Sequence, residues 1–294
     1  MRVHYEEMSC SSAINRVQGM PFRWSLNPYK GCVHGCHYCY ARRCHSFMDL
    51  NAGQDFSGVV FVKTNLPAVL RRELSRPGWR REEVAVGTAT DPYQPIEGRY
   101  RLTRACLQAF ADHANPISLV TKGTLIVRDV DLLADLAAGP GCTVVFSLTT
   151  LDRDLWQQLE PGTPPPLQRL AAMRRLADAG VRAGVLIAPV LPGLTDERRS
   201  LEGLVHAAAE HGARFLGARI LYLQPGTREH FLGFLQESYP ALLAEYQRLY
   251  PGAYTPKRFQ ESVHSTVAAL KREIGLQDQP ATHSRAGQQL RLAL

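Results

Sequence analysis

Lysine is scarce in this chain of 294 residues: Lys30, Lys63, Lys122, Lys257 and Lys271 are the full set, and every other basic side chain is arginine. Arginine's planar guanidinium suits phosphate partners, although a GC-rich coding sequence produces the same bias. Acidic residues are outnumbered 27 to 34, which leaves a net charge of +7 and a pI near 9.1. That excess is modest for this length and tilts only slightly toward nucleic acid. Long apolar runs are missing too. The longest, residues 183–194, is broken by Gly184, Pro189, Pro192 and Gly193 and falls short of the ~20 residues of a membrane span. The first residues, MRVHYEEMS, show no apolar stretch of the secretory type. The expectation is a soluble cytoplasmic protein without membrane association. Glycine (23) and proline (19) are too few for collagen-like or low-complexity sequence, and no repeat is visible. With 45% hydrophobic and 21% charged residues, the composition is globular, on the border between one large domain and two. The seven cysteines are an odd number, and three fall between positions 32 and 39. A disulfide scaffold spreads and pairs its cysteines, so this crowding points to a metal site in a reducing compartment.

Short β-type runs alternate with helical stretches. Strands are predicted at 22–26, 59–63, 84–88, 117–121, 143–149, 182–190 and 218–223. Helices are predicted at 67–74, 103–113, 127–137, 167–179, 196–211 and 227–236. Alternation of this kind argues for βαβ units around a parallel sheet. Several strands are apolar without a break, as when both faces are covered. Some boundaries carry their own chemistry. Gly180 suits the position after a helix end, Thr195 an N-cap before Asp196 and Glu197, and prolines 164–166 a stiff helix entry. About six βα units fit an incomplete barrel, and a doubly wound sheet fits the count as well. Beyond 223 the pattern is helical. Phe259, Val263, Val267, Leu270 and Ile274 recur at helical spacing and predict an amphipathic helix.

The segment Gly31-Cys32-Val33-His34-Gly35-Cys36-His37-Tyr38-Cys39-Tyr40 spaces its cysteines Cys-x3-Cys-x2-Cys, directly after the first main strand. Three thiolates on so short a loop can converge on one face of a metal centre. An iron–sulfur cube with three protein ligands keeps one iron open for chemistry. Gly31 and Gly35 allow a close backbone approach. Structural zinc is the alternative, with Cys44, His34, His37 or His45 as fourth ligand. A ferredoxin pattern is missing its fourth cysteine and following proline.

This motif resembles that of the radical S-adenosylmethionine (SAM) superfamily, and GCxxxCHYCY is similar to its spore photoproduct lyase branch, broadly DNA repair photolyase-like. The resemblance runs on through Thr88-Ala89-Thr90-Asp91-Pro92-Tyr93-Gln94-Pro95, Thr121-Lys122, Ser147-Leu148-Thr149-Thr150 and Pro189-Val190-Leu191-Pro192-Gly193-Leu194-Thr195-Asp196, each at a strand end, over about residues 22–225. It implies an α/β fold, a partial (βα)6 TIM-like barrel with C-terminal helices and the site at the C-terminal ends of the strands. It implies that Cys32, Cys36 and Cys39 hold a [4Fe–4S] cluster whose open iron is chelated by SAM. Reductive cleavage then yields a 5′-deoxyadenosyl radical that abstracts hydrogen from a substrate. By the same resemblance Tyr38 packs on SAM, and Thr88 and Ala89 meet its methionyl part. Lys122 pairs with the carboxylate, Ser147 meets the methionyl or ribose end, and Ile187, Ala188 and Pro189 flank the adenine. Plain readings stand beside these: Ser147 and Thr149 satisfying backbone, Lys122 solvated, Asp91-Pro92 a turn.

The sequence departs from the lyase at the hydrogen donor. The lyase carries a cysteine just before the turn after its second strand, where this chain reads Gly87-Thr88-Ala89-Thr90-Asp91. Tyr40, matching a hydrogen-relaying tyrosine, is retained, and Cys44 lies about one helical turn beyond Cys39. These two are the candidate catalytic residues. Cys10 is placed on a segment able to fold over the barrel mouth, and Cys106 and Cys142 read as buried hydrophobes. The expected organisation is an N-terminal segment (1–21), a core (22–225), a helical extension (226–276) and a flexible tail (277–294). The favoured substrate is nucleic acid, for lyase-like repair or modification. The alternatives are a small molecule or peptide, or a non-enzymatic zinc- or cluster-bearing nucleic-acid-binding module. A reductase or flavodoxin-type protein is the expected electron donor. The ending Gln289-Leu290-Arg291-Leu292-Ala293-Leu294 resembles the peptides by which bacterial DNA polymerases and repair proteins dock on the sliding clamp.

Overall fold

The computed structural model describes residues 3–48 and 50–278. The expected tail motif at 289–294 lies outside them. A seven-stranded sheet forms the centre. Its strands are β2 (Asn15–Arg16), β3 (Trp24–Leu26), β6 (Val84–Val86), β7 (Ile117–Thr121), β8 (Cys142–Leu148), β9 (Arg182–Val190) and β10 (Leu216–Ile220), side by side in that order. All neighbours from β3 to β10 pair in parallel, and β2 alone runs antiparallel, on β3. Six parallel strands joined by helical crossovers make the partial (βα)6 barrel. A smaller sheet of β1 (His4–Met8), β5 (Val59–Lys63) and β4 (Tyr29–Lys30) stands beside it. The run at Val59–Lys63 is therefore a strand, as predicted, but outside the barrel sheet. It pairs with β1, whose alternating polar sequence gave no strong strand signal.

The crossovers are α1 (Gln54–Gly58), α2 (Leu66–Leu74), α3 (Glu97–Tyr100), α4 (Leu102–Asp112), α5 (Val130–Ala138), α6 (Arg153–Leu159), α7 (Pro166–Asp178) and α8 (Arg198–Glu210). Two 3-10 stretches, Tyr40–Met48 and Thr124–Asp129, are interleaved with them. After β10 come α9 (Thr227–Ser238), α10 (Pro240–Leu249) and α11 (Lys257–Glu273). Gly180 follows α7 with φ +84°, the left-handed geometry expected of it. Thr195 is not the cap of α8. Its hydroxyl accepts from Leu191 N at 2.8 Å, and Asp196 accepts from Gly193 N at 2.7 Å, so both short side chains close a local turn before the helix begins. Among the described residues no helix is long and apolar enough to cross a membrane.

Strand periodicity explains where the site lies. Alternate side chains of β8 and β9, such as Val144, Phe146, Leu148, Val185 and Ile187, enter one core between sheet and helices. Each such buried chain contributes about 1.5–3 kcal/mol. The opposite rows, including Ser147 and Ala188, face the barrel interior and are free to be polar. Val263, Val267 and Leu270 of α11 complete the outer core, as their spacing predicted. A second cluster joins Phe231, Phe234 and Leu235 of α9 and Tyr246 of α10 to Leu221, Leu223, Cys36 and Tyr38. α9 and α10 are thereby packed directly behind the cysteine loop. Cys106 and Cys142 are buried hydrophobes, whereas Cys10 packs on the outer core, tied by Asn65 to α2. Cys10 is thus not part of a lid over the barrel mouth.

Candidate active site

The cysteine loop follows β4 and is held by backbone bonds from Cys32 N to Phe56 O (3.0 Å), Gly35 N to Cys32 O (3.2 Å) and Cys39 N to Cys36 O (3.3 Å). Gly31 has φ +81°, and a Cβ there would lie 2.5 Å from Val59 O. The close approach it permits is to β5 rather than to the cysteines. Arg42 locks the loop from beneath. Nε donates to Cys36 O (2.9 Å), one terminal nitrogen to Gly35 O (2.6 Å), and the other to Ala52 O (2.9 Å) and Gly53 O (2.8 Å). The guanidinium lies over the Phe56 ring.

Cys32 and Cys36 are buried, Cys39 is half-buried, and all three are free thiols. Burial pushes the Cys36 thiol up, and the Cys39 thiol up to about 11. The three lie near enough for their charges to act on one another. Such thiols ionise only with a cation to compensate, which is the condition a metal cluster satisfies. Among the described residues no three His, Cys, Asp or Glu side chains gather tightly enough for a single metal ion. Of the histidines offered for zinc, His37 and His45 are engaged elsewhere, whereas His34 hydrogen-bonds both Cys32 and Asp91. His34 Nδ1 meets Asp91 Oδ2 at 3.3 Å, His37 Nδ1 meets His230 Nε2 at 3.1 Å, and His45 Nε2 meets Val59 O at 3.1 Å.

Strand ends of the barrel face this loop. The Tyr38 hydroxyl donates to Glu160 and lies 2.9 Å from Thr149 Oγ1. Glu160 is paired with the fully buried Arg169. Burial alone would raise the Glu160 carboxyl, but the Arg169 guanidinium and the Lys122 ammonium outweigh it and hold it down near about 2. Lys122 Nζ donates to Ser147 Oγ at 2.8 Å and sits 5.6 Å from the centre of the Tyr38 ring. Ser147 Oγ and Thr149 Oγ1 both donate to Ala188 O, at 2.9 and 3.1 Å. On the β3–β6 side, Asn27 Nδ2 donates to Thr88 Oγ1 (3.2 Å) and Asn27 Oδ1 accepts from Ala89 N (2.7 Å). Tyr40, 40% exposed, hydrogen-bonds Thr88 O. Asp91 accepts from Thr121 Oγ1 and Lys122 N, both at 2.7 Å, so the turn it makes also fixes the lysine's backbone.

Tyr38, Lys122, Ser147, Ala188, Thr88, Ala89 and Tyr40 are thus gathered around Cys32, Cys36 and Cys39. Ile187 is not: it points into the outer core and is fully buried there, because strand alternation sends its neighbours Leu186 and Ala188 inward. Pro189 is half-buried at the end of the same strand. Cys44 is half-buried, within electrostatic reach of Tyr40. Arg42, Asn27, Glu160 and Arg169 were not singled out from the sequence. Arg42 binds backbone atoms and Asn27 meets Thr88 and Ala89 across 61 and 62 positions, while Glu160 and Arg169 pair across a loop, so no local pattern marks them.

A model of the radical SAM superfamily matches residues 26–202. The chain belongs to the radical SAM superfamily. An uncharacterized protein of Mycobacterium tuberculosis is 43% identical over 272 residues, covering 91% of this chain and 80% of that one. The radical SAM Nalpha-GlyT isomerase of Pseudomonas phage M6 is 28% identical over 191 residues, 63% of this chain and 37% of that protein. Spore photoproduct lyase complexed with a dinucleoside spore photoproduct shares the fold, with a TM-score of 0.68 at 16% identity, over 92% of this chain and 79% of that one. As a radical SAM enzyme, the protein uses a [4Fe–4S] cluster and S-adenosylmethionine. The residues present fit that pair: three thiols outside any disulfide, two of them buried, for the cluster, and an ammonium on a polar barrel wall for an amino-acid carboxylate.

Proposed function

We propose that Cys32, Cys36 and Cys39 ligate the cluster and that the enzyme acts on nucleic acid, in lyase-like repair or modification. When bound, the cluster and SAM supply hydrogen-atom abstraction through reductive SAM cleavage. The observation that carries the ligand assignment is that Cys36 and Cys39 lie beside Lys122 and Tyr38, with Cys32 on the same loop, at the C-terminal ends of the parallel strands. Lys122, now bonded to Ser147 Oγ, would hold the carboxylate of SAM, and Ser147 has Ala188 O as its acceptor. Tyr38 is held rigid by Glu160 and Thr149 and forms a wall beneath that lysine. Thr88 and Ala89 offer polar backbone near the same space, with Asn27 fixing both. Tyr40, half-exposed at the mouth, is the first candidate for passing a hydrogen atom to the substrate, and Cys44 the second.

Support for nucleic acid comes from the arginine-rich net charge of +7 and from the shared fold with a protein solved with a dinucleoside photoproduct. An electron donor of the flavodoxin or reductase type and a clamp-docking tail at 289–294 complete the reading. The test is anaerobic reconstitution followed by iron and sulfide counting and a 5′-deoxyadenosine assay. Cys→Ala at position 32, 36 or 39 is expected to abolish both cluster and SAM cleavage, while Cys106→Ala keeps both. Full iron content in Cys36→Ala removes the ligand assignment.

A further inference from the structure

Residues 221–224 leave β10 with alternating destinations. Leu221 and Leu223 enter the cluster of α9 and α10, while Gln224 turns the other way, donating to Tyr40 O (3.3 Å) and accepting from Arg43. Tyr222 stands two residues before Gln224 and is half-buried. Its ring packs on Tyr254, with centroids 4.6 Å apart and an interplanar angle of 33°. The two segments are joined by a backbone bond from Leu223 N to Ala253 O (2.9 Å), and Arg228 holds Gly252 O (3.0 Å). The pair is therefore fixed in place before any ligand arrives. Tyr254 is nevertheless 62% exposed, so one ring face is open to solvent.

The sequence on both sides of this pair is predominantly basic. Residues 216–228 and 250–260 contain no acidic side chain, but hold Arg219, Arg228, Lys257 and Arg258. Lys257 and Arg258 are exposed at the start of α11, three and four residues beyond Tyr254. Of the acids that follow, Glu229 is taken up as a cap on Gly226 N, and Glu261 lies one helical turn further into α11 than Lys257 and Arg258. An open aromatic face fixed beside basic side chains matches how single-stranded nucleic acid is held. The ring stacks a base of any sequence, and the cations track the backbone.

We infer that Tyr254, backed by Tyr222, is a stacking platform for a nucleobase of the substrate strand beside the reacting nucleotide, with Lys257 and Arg258 meeting its phosphates. This rests on the nucleic-acid reading of the active site and adds where the strand lies. A platform at the rim leaves the target nucleotide to enter the barrel while its neighbour is held outside, next to Tyr40. Sequence tolerance follows, because every base presents a π face.

The experiment is fluorescence anisotropy of the reconstituted enzyme with a fluorescein-labelled single-stranded oligodeoxynucleotide, at several salt concentrations. Tyr254→Ala is expected to weaken binding roughly five- to one-hundred-fold, the range of one lost base stack. Tyr254→Phe, which keeps the ring, is expected to stay within about twofold. The double variant Lys257→Gln/Arg258→Gln is expected to flatten the log–log salt slope by about 1.4, roughly 0.7 for each phosphate contact on a single strand. Unchanged melting midpoints show that the exposed substitutions leave the fold intact. Equal affinity of the wild type and Tyr254→Ala overturns the platform and leaves the nucleic-acid reading standing. No binding by the wild type even at low salt overturns that reading, and the platform with it.

Discussion

Gly87 and Pro92 compete for one small volume. A Cβ on Gly87 would lie 2.6 Å from Pro92 Cδ and 2.6 Å from Val120 O, and the backbone there has φ +86°. The place where spore photoproduct lyase is expected to carry its cysteine hydrogen donor therefore admits no side chain at Gly87. Thr88 is the neighbouring position, and its hydroxyl is bonded to Asn27. Gly87→Cys is expected to cost roughly 2–5 kcal/mol, from overpacking and the left-handed backbone together, read by thermal unfolding. Thr88→Cys is expected to fold. With no thiol there, the wild type is expected to repair the dinucleoside spore photoproduct weakly or not at all. Clean conversion at a rate that Tyr40→Phe leaves unchanged would contradict the reading of both positions.

The cysteine loop depends on Arg42 for more than charge. Its guanidinium satisfies four carbonyls at 2.6–2.9 Å, and the residue is 2% exposed. A buried acceptor left without a partner costs about 1–3 kcal/mol. Arg42→Ala is therefore expected to lose at least about 3 kcal/mol, and to take up less iron than the wild type on reconstitution. Arg42→Lys keeps a positive charge but presents one compact ammonium to carbonyls on two sides of the residue. Its stability and iron content are expected to fall between those of the other two proteins. Wild-type values in Arg42→Ala would show that the loop holds its shape without the clamp.

What could be read in the sequence divides along a physical line. The barrel strands, the cysteine motif and Lys122 are marked locally, by apolar runs, spacing and a charge at a strand end. The helix at the chain's far end was legible because Val263, Val267 and Leu270 recur on one face. Val59–Lys63 was legible as a strand but not as a member of the side sheet, since its partner β1 is separated by about fifty residues and is polar. Ile187 was assigned to the cofactor wall with its neighbours. A strand sends adjacent side chains to opposite faces, so the three residues could not all face inward. Glu160 and Arg169 lay beyond reach: Glu160 meets Tyr38 across 122 positions, and nothing in either local sequence distinguishes them from surface charges.

The Glu160–Arg169 pair also sets a pH dependence. The folded-state carboxyl lies near about 2, below its ordinary value of 4.5. A carboxyl whose pKa is depressed by folding contributes stability above its unfolded pKa and loses it as pH falls toward the folded value. Its contribution is expected to be complete at pH 6 and to decline between about pH 5 and pH 2. Urea unfolding of metal-free protein between pH 6 and pH 3 measures this. Glu160→Gln is expected to be less stable at pH 6, because Arg169 stays buried without its counter-ion. It is also expected to show a shallower acid slope than the wild type. Parallel slopes in the two proteins would mean that other carboxylates carry the acid sensitivity.

The final six residues supply a prediction independent of the catalytic site. Gln289-Leu290-Arg291-Leu292-Ala293-Leu294 alternates apolar and other side chains with a period of two. In an extended peptide that period places Leu290, Leu292 and Leu294 on one side, facing a single apolar groove, while the Gln289 amide is free to hydrogen-bond at its edge. Asp278 is tied to Leu216 N and Lys271, and the sequence 279–288 beyond it is polar with Gly and Pro, a composition suited to a tether. Docking on the bacterial sliding clamp is the expected result. The measurement is a titration of the clamp with the full chain and with a chain truncated after Gln288. The full chain is expected to bind and the truncated one to lose the interaction, and substituting Leu292 and Leu294 by Ala is expected to reproduce the loss. Equal affinity for the full and truncated chains, or none for either, removes the docking role and leaves the assignment of the active site untouched.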